Sequence, residues 1–534
     1  MTLTNRPSLA RGAAAITIAT TLSRLTGFVR VVVVAAAMGT TYLANTYQTA
    51  NSAPNLLFEL LAAGVLTSVF VPTFVDYLTK GQASAAWRAA DAMTSIAVAA
   101  LAVVAVLLAL AAPLLMRLLT VGVEQEKLRA AEIALGSDLL RLFAPQVIFY
   151  GLGMIMTAAL HAHRRFALAA AAPILNNIVV SCVYLAYAAM RAGRPPSLQG
   201  ISGAETLVLG AGTTLGVVVM TVVLAPQLYS LGWRPRWRWE PRHPAVRKAA
   251  RLGFWALGYA GGYQAGLIVV LLLANRVEGG VAAYQWAYTF FYVPHAILGV
   301  AILNVLFPEL SELAAQKDEA GFTKRLTDAS EMLAFVLLPV AVLLVVSGDA
   351  IAQSVLRFGA MTTAGAELVG RTLAAFGLGL PAYSGFLALS RAFYARNDAR
   401  TPTLVNALAI AVSGASGALM FVALPGDWAV PGLAAGHSLG FLVAVALGAW
   451  LLRRRLPLST WLTPSVKRSA LVALAAAPVM LAARALVPAR PGTAALLSLG
   501  ATALTGALAY AGAMRVLKAR ELSLLASVLK RNPS

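Results

Sequence analysis

Apolar positions along this chain come in long, unalternated runs. Ile96–Leu115 and Leu471–Leu481 contain no charged residue. A helix crossing the hydrocarbon core needs about 20 such residues, and windows of that length predict roughly fourteen transmembrane helices. They fall near 12–37, 44–76, 92–116, 136–160, 167–190, 204–228, 250–275, 281–307, 327–347, 367–392, 402–424, 429–452, 468–487 and 493–515. A membrane β-barrel would instead show segments of about ten residues with alternating polarity. The expected fold class is an all-α polytopic membrane protein, because only helices satisfy their own backbone groups within one span.

Composition excludes the alternatives. The chain has 534 residues, of which 59% are hydrophobic and 12% charged. Its mean hydropathy is +0.76. That leaves too little polar side chain to cover a soluble surface and too much apolar side chain for disorder. The formal net charge is +21. In a membrane protein this excess belongs to loops facing anionic lipid, so no nucleic-acid partner is expected.

Most of the basic residues cluster at the termini and in the even-numbered loops. These include Lys80, Arg88, Arg164, Arg165, Arg234 to Arg251, Arg391, Arg396 and Arg453 to Arg455. The asymmetry places both termini in the cytoplasm. Residues 1–11 are short and basic, and the apolar stretch after them is too long for a cleavable leader. Cys182 is the single cysteine, so no disulfide can form within one chain. The segment around Ser230–Lys248 is basic and holds Trp233, Trp237 and Trp239. It reads as an interfacial stretch lying on the inner leaflet.

Paired prolines suggest an internal repeat. Pro54 matches Pro294, the proline of SVFVPTFVDY matches that of NVLFPELSEL, and Pro173 matches Pro402, at offsets of about 240, 236 and 230 positions. Two six-helix halves in parallel orientation would produce this spacing. The chain then divides into a first lobe (1–228), a basic cytoplasmic linker (229–249), a second six-helix lobe (250–453), and two extra helices with a cytoplasmic tail (454–534).

Chemistry-bearing motifs are few. There is no P-loop, no nucleophile elbow, and no metal-ligand spacing among His161, His163, His243, His295 and His437. The first external loop, Gly39–Ala44, has no carboxylate. An enzyme, a metal site and a cofactor are not expected. Charges inside spans carry more information, because burying them in lipid is costly. Arg24 and Arg30 lie on the first helix, about 120° apart around its axis at 100° per residue. Glu59 lies mid-span on the second. Either Arg24 or Arg30 pairs with Glu59 as a structural ion pair, or the arginines line a cavity for an anion. A guanidinium suits pyrophosphate because its planar fork donates two parallel hydrogen bonds. Gly258, Gly262 and Gly266 form a helix-packing ridge. His295, beside Pro294, is either proton-linked or a hydrogen-bonded histidine at a kink. Asn55, Asn176 and Asn177 read as interhelical hydrogen bonders.

Several blocks resemble the MurJ/MviN lipid II flippases of the multidrug/oligosaccharidyl-lipid/polysaccharide exporter superfamily. They are SRLTGFVRVVVVAAAMG (Ser23–Gly39), SAPNLLFELLAAGVLTSVFVPTFVDY (Ser52–Tyr77), RRFALAAAAPILNN (Arg164–Asn177), VPHAILGVAILNVLFPELS (Val293–Ser311) and the long block Leu356–Ala407. The resemblance implies two six-helix lobes around a V-shaped cavity, with two further helices forming a lipid-facing groove. It implies that Arg24 and Arg30 serve substrate pyrophosphate, with Ser23, Asn55 and Glu59 nearby and His295 and Thr289 as secondary positions. Val31, Asn45, Phe58 and Thr289 stand where the family pattern carries charges, and the seventh and eleventh helices lack the carboxylates of a sodium-type site.

The expected activity is transfer of a polyprenyl-pyrophosphate-linked peptidoglycan precursor from the inner to the outer leaflet of the bacterial plasma membrane by alternating access. The expected partners are that substrate, anionic lipids and other cell-wall synthesis proteins, with the chain a monomer. Coupling to an ion or to membrane potential is the expected energy source, since 100 mV supplies about 2.3 kcal/mol per charge. The alternatives are an exporter of the same fold for another lipid-linked glycan or small molecule, and a non-transporting scaffold for cell-wall synthesis.

Overall fold

The computed structural model describes residues 9–65, 83–244, 246–247, 264–456, 462–487 and 493–522. Every regular element among them is helical. Proximity divides the chain into two compact units, Met1–Val281 and Ala282–Ser534.

The first unit contains α1 (Leu9–Met38), α2 (Tyr42–Val65), α3 (Ala83–Leu119), α4 (Glu126–Phe143), α5 (Gln146–Ala162), α6 (Phe166–Met190), α7 (Gly203–Val222), the short α8 (Ala225–Ser230) and α9 (Gln264–Ala274). α1 packs along α6, and α7 packs against α4, α5 and α6. α7 starts at a capping box. Ser202 Oγ accepts from the Glu205 amide at 3.2 Å, and the Glu205 carboxylate accepts from the Ser202 amide at 2.7 Å. Two donors that the helix itself cannot satisfy are thereby paired.

By proximity this unit runs on past residue 228 to Val281. Residues 275–281 stay with the first unit because α2 and α3 hold them. Asn45, fully buried, donates through Nδ2 to the Val277 carbonyl at 2.8 Å and accepts through Oδ1 from the Val281 amide at 3.0 Å. Asn275 donates to the Leu119 carbonyl at 3.1 Å. Gly279 (φ +67°) lies against this corner, where a Cβ would come within 2.3 Å of Thr40. Only glycine fits both that backbone angle and that space.

The basic segment also differs from the leaflet-lying stretch expected. It docks onto α3 along residues 233–238. The Trp233 indole donates to Asp91 Oδ1 at 3.0 Å, the Arg236 amide to the same oxygen at 3.2 Å, and the Arg238 amide to Ser95 Oγ at 2.8 Å. Trp233 is buried among α3, α5 and α8 side chains. Trp237 and Trp239 remain 66% and 61% exposed, so only these two keep the interfacial character read from the sequence. The physical reason is Asp91. A nearly buried carboxylate needs several donors, and the segment supplies them.

The second unit takes all but the first two residues of α10 (Gly280–Pro294), then a π-helical turn (His295–Gly299), α11 (Val300–Ala315), α12 (Glu319–Leu356), α13 (Thr363–Gly377), α14 (Leu380–Ala395), α15 (Arg400–Ala423), α16 (Gly426–Arg453), α17 (Pro464–Leu486) and α18 (Thr493–Val516). α12 leaves helical geometry at Ser347, and the Val346 carbonyl beside that kink accepts from Arg484 of α17 at 2.6 Å. Arg484 also pairs with Asp349. The two C-terminal helices pack on α12, where the Tyr510 hydroxyl donates to the Phe335 carbonyl at 2.9 Å. α15 and α16 approach at glycine, and a Cβ on Gly436 would lie 2.4 Å from the Gly417 nitrogen.

Eleven helices among the described residues are long and apolar enough to cross a membrane, or twelve if α13 and α14, bent by 45°, make one span. The predicted spans 44–76 and 250–275 run into residues outside the described ones, so the figure of fourteen is not established. Gly258 and Gly262 of the predicted ridge lie there too.

One loop carboxylate fixes the connection between α14 and α15. Burial alone would raise the Asp398 carboxyl. Hydrogen bonds from the Thr401 hydroxyl and amide, and the Arg455 guanidinium at 2.5 Å, outweigh that effect and hold it at about 2, below an ordinary value of 3.8. A depressed carboxylate contributes stability above its unfolded value and loses it as pH falls through its folded value. The expected outcome is a melting temperature that drops between about pH 4 and pH 2 in the wild type, with a smaller drop in Asp398→Asn. Parallel pH profiles for the two proteins would count against this loop lock.

Candidate functional site

The groups within electrostatic range of Arg30 on α1 come from α2, α5 and α6. Arg30 is half-buried on α1, and its guanidinium lies within electrostatic range of the Tyr47, Tyr150 and Tyr184 phenols. Those phenols are ordered by one another and by their neighbours. Tyr47 Oη is 3.0 Å from Tyr184 Oη and 2.6 Å from Thr213 Oγ1. The Tyr150 hydroxyl donates to Asn55 Oδ1 at 2.7 Å, and Asn55 Nδ2 donates to the Asn51 carbonyl at 2.9 Å. An intrahelical bond to Asn51 and an interhelical bond to Tyr150 therefore fix the Asn55 amide.

The predicted residues do not all come together. Arg24 is exposed on α1 and Glu59 is exposed on α2. Glu59 accepts from Gln264 Nε2 of α9 at 3.1 Å, and it forms an ion pair with neither arginine among the described residues. The structural ion pair weighed from the sequence is thus not the arrangement found. Ser23 is half-buried and offers its backbone carbonyl to Asn177 Nδ2 at 3.1 Å, and Asn177 donates equally to Thr26 Oγ1. This ties α6 to the turn of α1 that carries Arg24. Phe58 lies outside the described side chains.

The secondary positions sit in the second unit. Thr289 bonds its own helix, donating to the Gln285 carbonyl at 3.0 Å. His295 is 1% exposed, with Nδ1 at 2.8 Å from Ser384 Oγ and its ring edge-on to Tyr383 at 4.9 Å. It opens the π-turn, where the backbone repeat loosens by one residue. That is the hydrogen-bonded histidine at a kink, one of its two sequence readings.

Arg30 is a cation with no carboxylate partner among the described residues, and three phenols lie within electrostatic range of it. A guanidinium so placed can hold an oxyanion through its planar fork. Sequence reasoning misses the tyrosines and Thr213. Their signal is faint, since lone tyrosines inside apolar spans also occur as interfacial residues. Among the described residues, no group of three or more His, Cys, Asp or Glu could hold a metal ion.

Comparison with known proteins bears on the same elements. The family model described as Lipid II flippase MurJ matches residues 34–499. A protein of Rhizobium tropici named probable lipid II flippase MurJ is 31% identical over 443 residues, covering 82% of this chain and 79% of that one. A solved structure of lipid II flippase MurJ in an inward closed conformation has a TM-score of 0.73 at 19% identity, covering 94% of this chain and 99% of that chain. An inward-facing multidrug resistance MATE transporter of the MOP superfamily gives a TM-score of 0.64 at 13% identity, over 81% and 94% of the two chains.

Proposed function

Since this chain belongs to the lipid II flippase MurJ family, we propose that it moves lipid II, a polyprenyl-pyrophosphate-linked peptidoglycan precursor, from the inner to the outer leaflet. It is a multi-pass bacterial inner-membrane protein of all-helical fold and a transporter rather than a catalyst. The observation that carries the substrate reading is Arg30, a half-buried cation held among hydroxyls on the first unit. Burying an uncompensated cation costs several kcal/mol, so its retention fits a ligand that brings the counter-charge.

In this reading Arg30 grips the pyrophosphate, Arg24 meets the headgroup at the exposed edge of α1, and Asn55 and Ser23 hold the helices in register. The polyprenyl tail stays in lipid. Grip is of order a few kcal/mol per charge-assisted contact, weak enough for release. The chain acts as a monomer with both termini cytoplasmic, its basic loops facing anionic lipid, and it draws on an ion gradient or the membrane potential. Depleting the protein in its host tests the function: lipid II should accumulate on the inner leaflet, and normal outer-leaflet lipid II at full depletion would overturn it.

Orientation has its own check. A reporter active only outside the cell should be silent when fused at Ser534 and active when inserted near Val123, in the loop after α3. The opposite pattern would reverse every loop assignment.

A further inference from the structure

The docked basic segment closes one side of a groove that the transport reading leaves unused. The groove has a volume of about 430 Å³, within the usual range of ligand sites. Its walls are apolar, from Val98 of α3, Leu152 and Met156 of α5, and Val222 at the end of α7. Its rim is different. Trp237 and Arg236 of the basic segment line it, and Trp237 is 66% exposed. Thr94, a residue of the same lining, keeps a buried Oγ1 with no hydrogen-bond partner. Helical threonines ordinarily return that hydrogen to the carbonyl one turn back.

We propose that this groove binds an anionic glycerophospholipid of the surrounding leaflet. Three observations select that occupant. The apolar walls require an acyl chain. The exposed tryptophans mark the depth at which headgroup meets hydrocarbon. The segment 234–242 carries Arg234, Arg236, Arg238 and Arg242 against the single acid Glu240. Asp91, 5% exposed, accepts from Trp233 and the Arg236 amide and pairs ionically with Arg238, so it offsets Arg238 and leaves the Arg236 guanidinium at the rim with no carboxylate partner among the described residues. The phosphate then lies at Arg236. A zwitterionic lipid has the chain but adds a cation where the rim is already basic. The site is separate from the Arg30 wall, so it stands whatever the transported cargo is.

The test uses the full-length protein, purified in detergent, stripped of lipid and titrated with phosphatidylglycerol or phosphatidylcholine of matched chains. Native mass spectrometry counts retained lipid. Wild type should retain phosphatidylglycerol about fivefold better, the effect of roughly one surface cation. Arg236→Gln should remove that preference and leave phosphatidylcholine unchanged. Val98→Trp should lower retention of both lipids by filling the groove, and Val222→Phe does the same should Val98→Trp fail to fold. No headgroup preference in wild type would overturn the proposal. So would Arg236→Gln behaving as wild type, or a folded groove-filling variant with undiminished retention. Undecaprenyl phosphate displacing phosphatidylglycerol at equal concentration would also overturn it, by assigning the groove to the polyprenyl carrier.

Discussion

Arg30→Ala should insert and fold as wild type does, yet lose substrate flipping. The change removes a charge-assisted hydrogen-bond pair of about 1.5–3 kcal/mol, which weakens precursor binding roughly ten- to a hundredfold. Arg30→Lys should keep part of the activity, because an ammonium supplies the charge without the fork. Glu59 is the control. It is exposed and bonded to Gln264, so Glu59→Gln should change little, and the double variant should behave like Arg30→Ala alone. Melting temperature and precursor binding, measured on both single variants and the double, separate the readings. If the double variant regained both stability and transport, Arg30 would be one half of a structural pair, and the pyrophosphate role would fall.

The second large effect is on stability. Asn45→Asp should destabilise the first unit by about 2 kcal/mol or more, because a buried donor–acceptor pair is broken. An asparagine can donate to the Val277 carbonyl and accept from the Val281 amide at once. An aspartate keeps only the second contact and sets a negative oxygen against a carbonyl oxygen in a site with no exposure. Thermal unfolding in detergent reads the loss. Asn45→Ala should fall between the two, since it abandons both backbone groups without adding charge. An Asp variant that melts with the wild type would show that the corner closes without this amide.

Long apolar runs make the fold class legible from the amino-acid sequence alone, because lipid demands length and self-satisfied backbones. Period alone does not reveal which polar groups find each other across helices. Arg24 and Arg30 stand out as charges inside a span, but the phenols of Tyr47, Tyr150 and Tyr184 within electrostatic range of Arg30 come from three helices distant in sequence. Asn45 reads only as a missing charge. Its actual work depends on residues more than two hundred positions away. The basic, tryptophan-rich segment is conspicuous by composition, yet composition alone lays it flat on the leaflet. The acid that captures it, Asp91, sits on another helix, one position before the predicted span 92–116.

The Asn45 corner also sets an order of events during synthesis. Its two partners lie 232 and 236 positions downstream. At a translation rate of about 5–20 residues per second, roughly ten to fifty seconds separate the emergence of the asparagine from that of its partners. Through that interval α2 can be inserted and packed on α4 and α5, but its N-terminal end has nothing to close against. The first unit therefore matures from its middle outward, and its last seam is sewn by a stretch of chain made after the basic segment has passed. Nascent chains halted before residue 277 would hold every contact of the Arg30 wall and still leave that corner open to insertion factors and proteases.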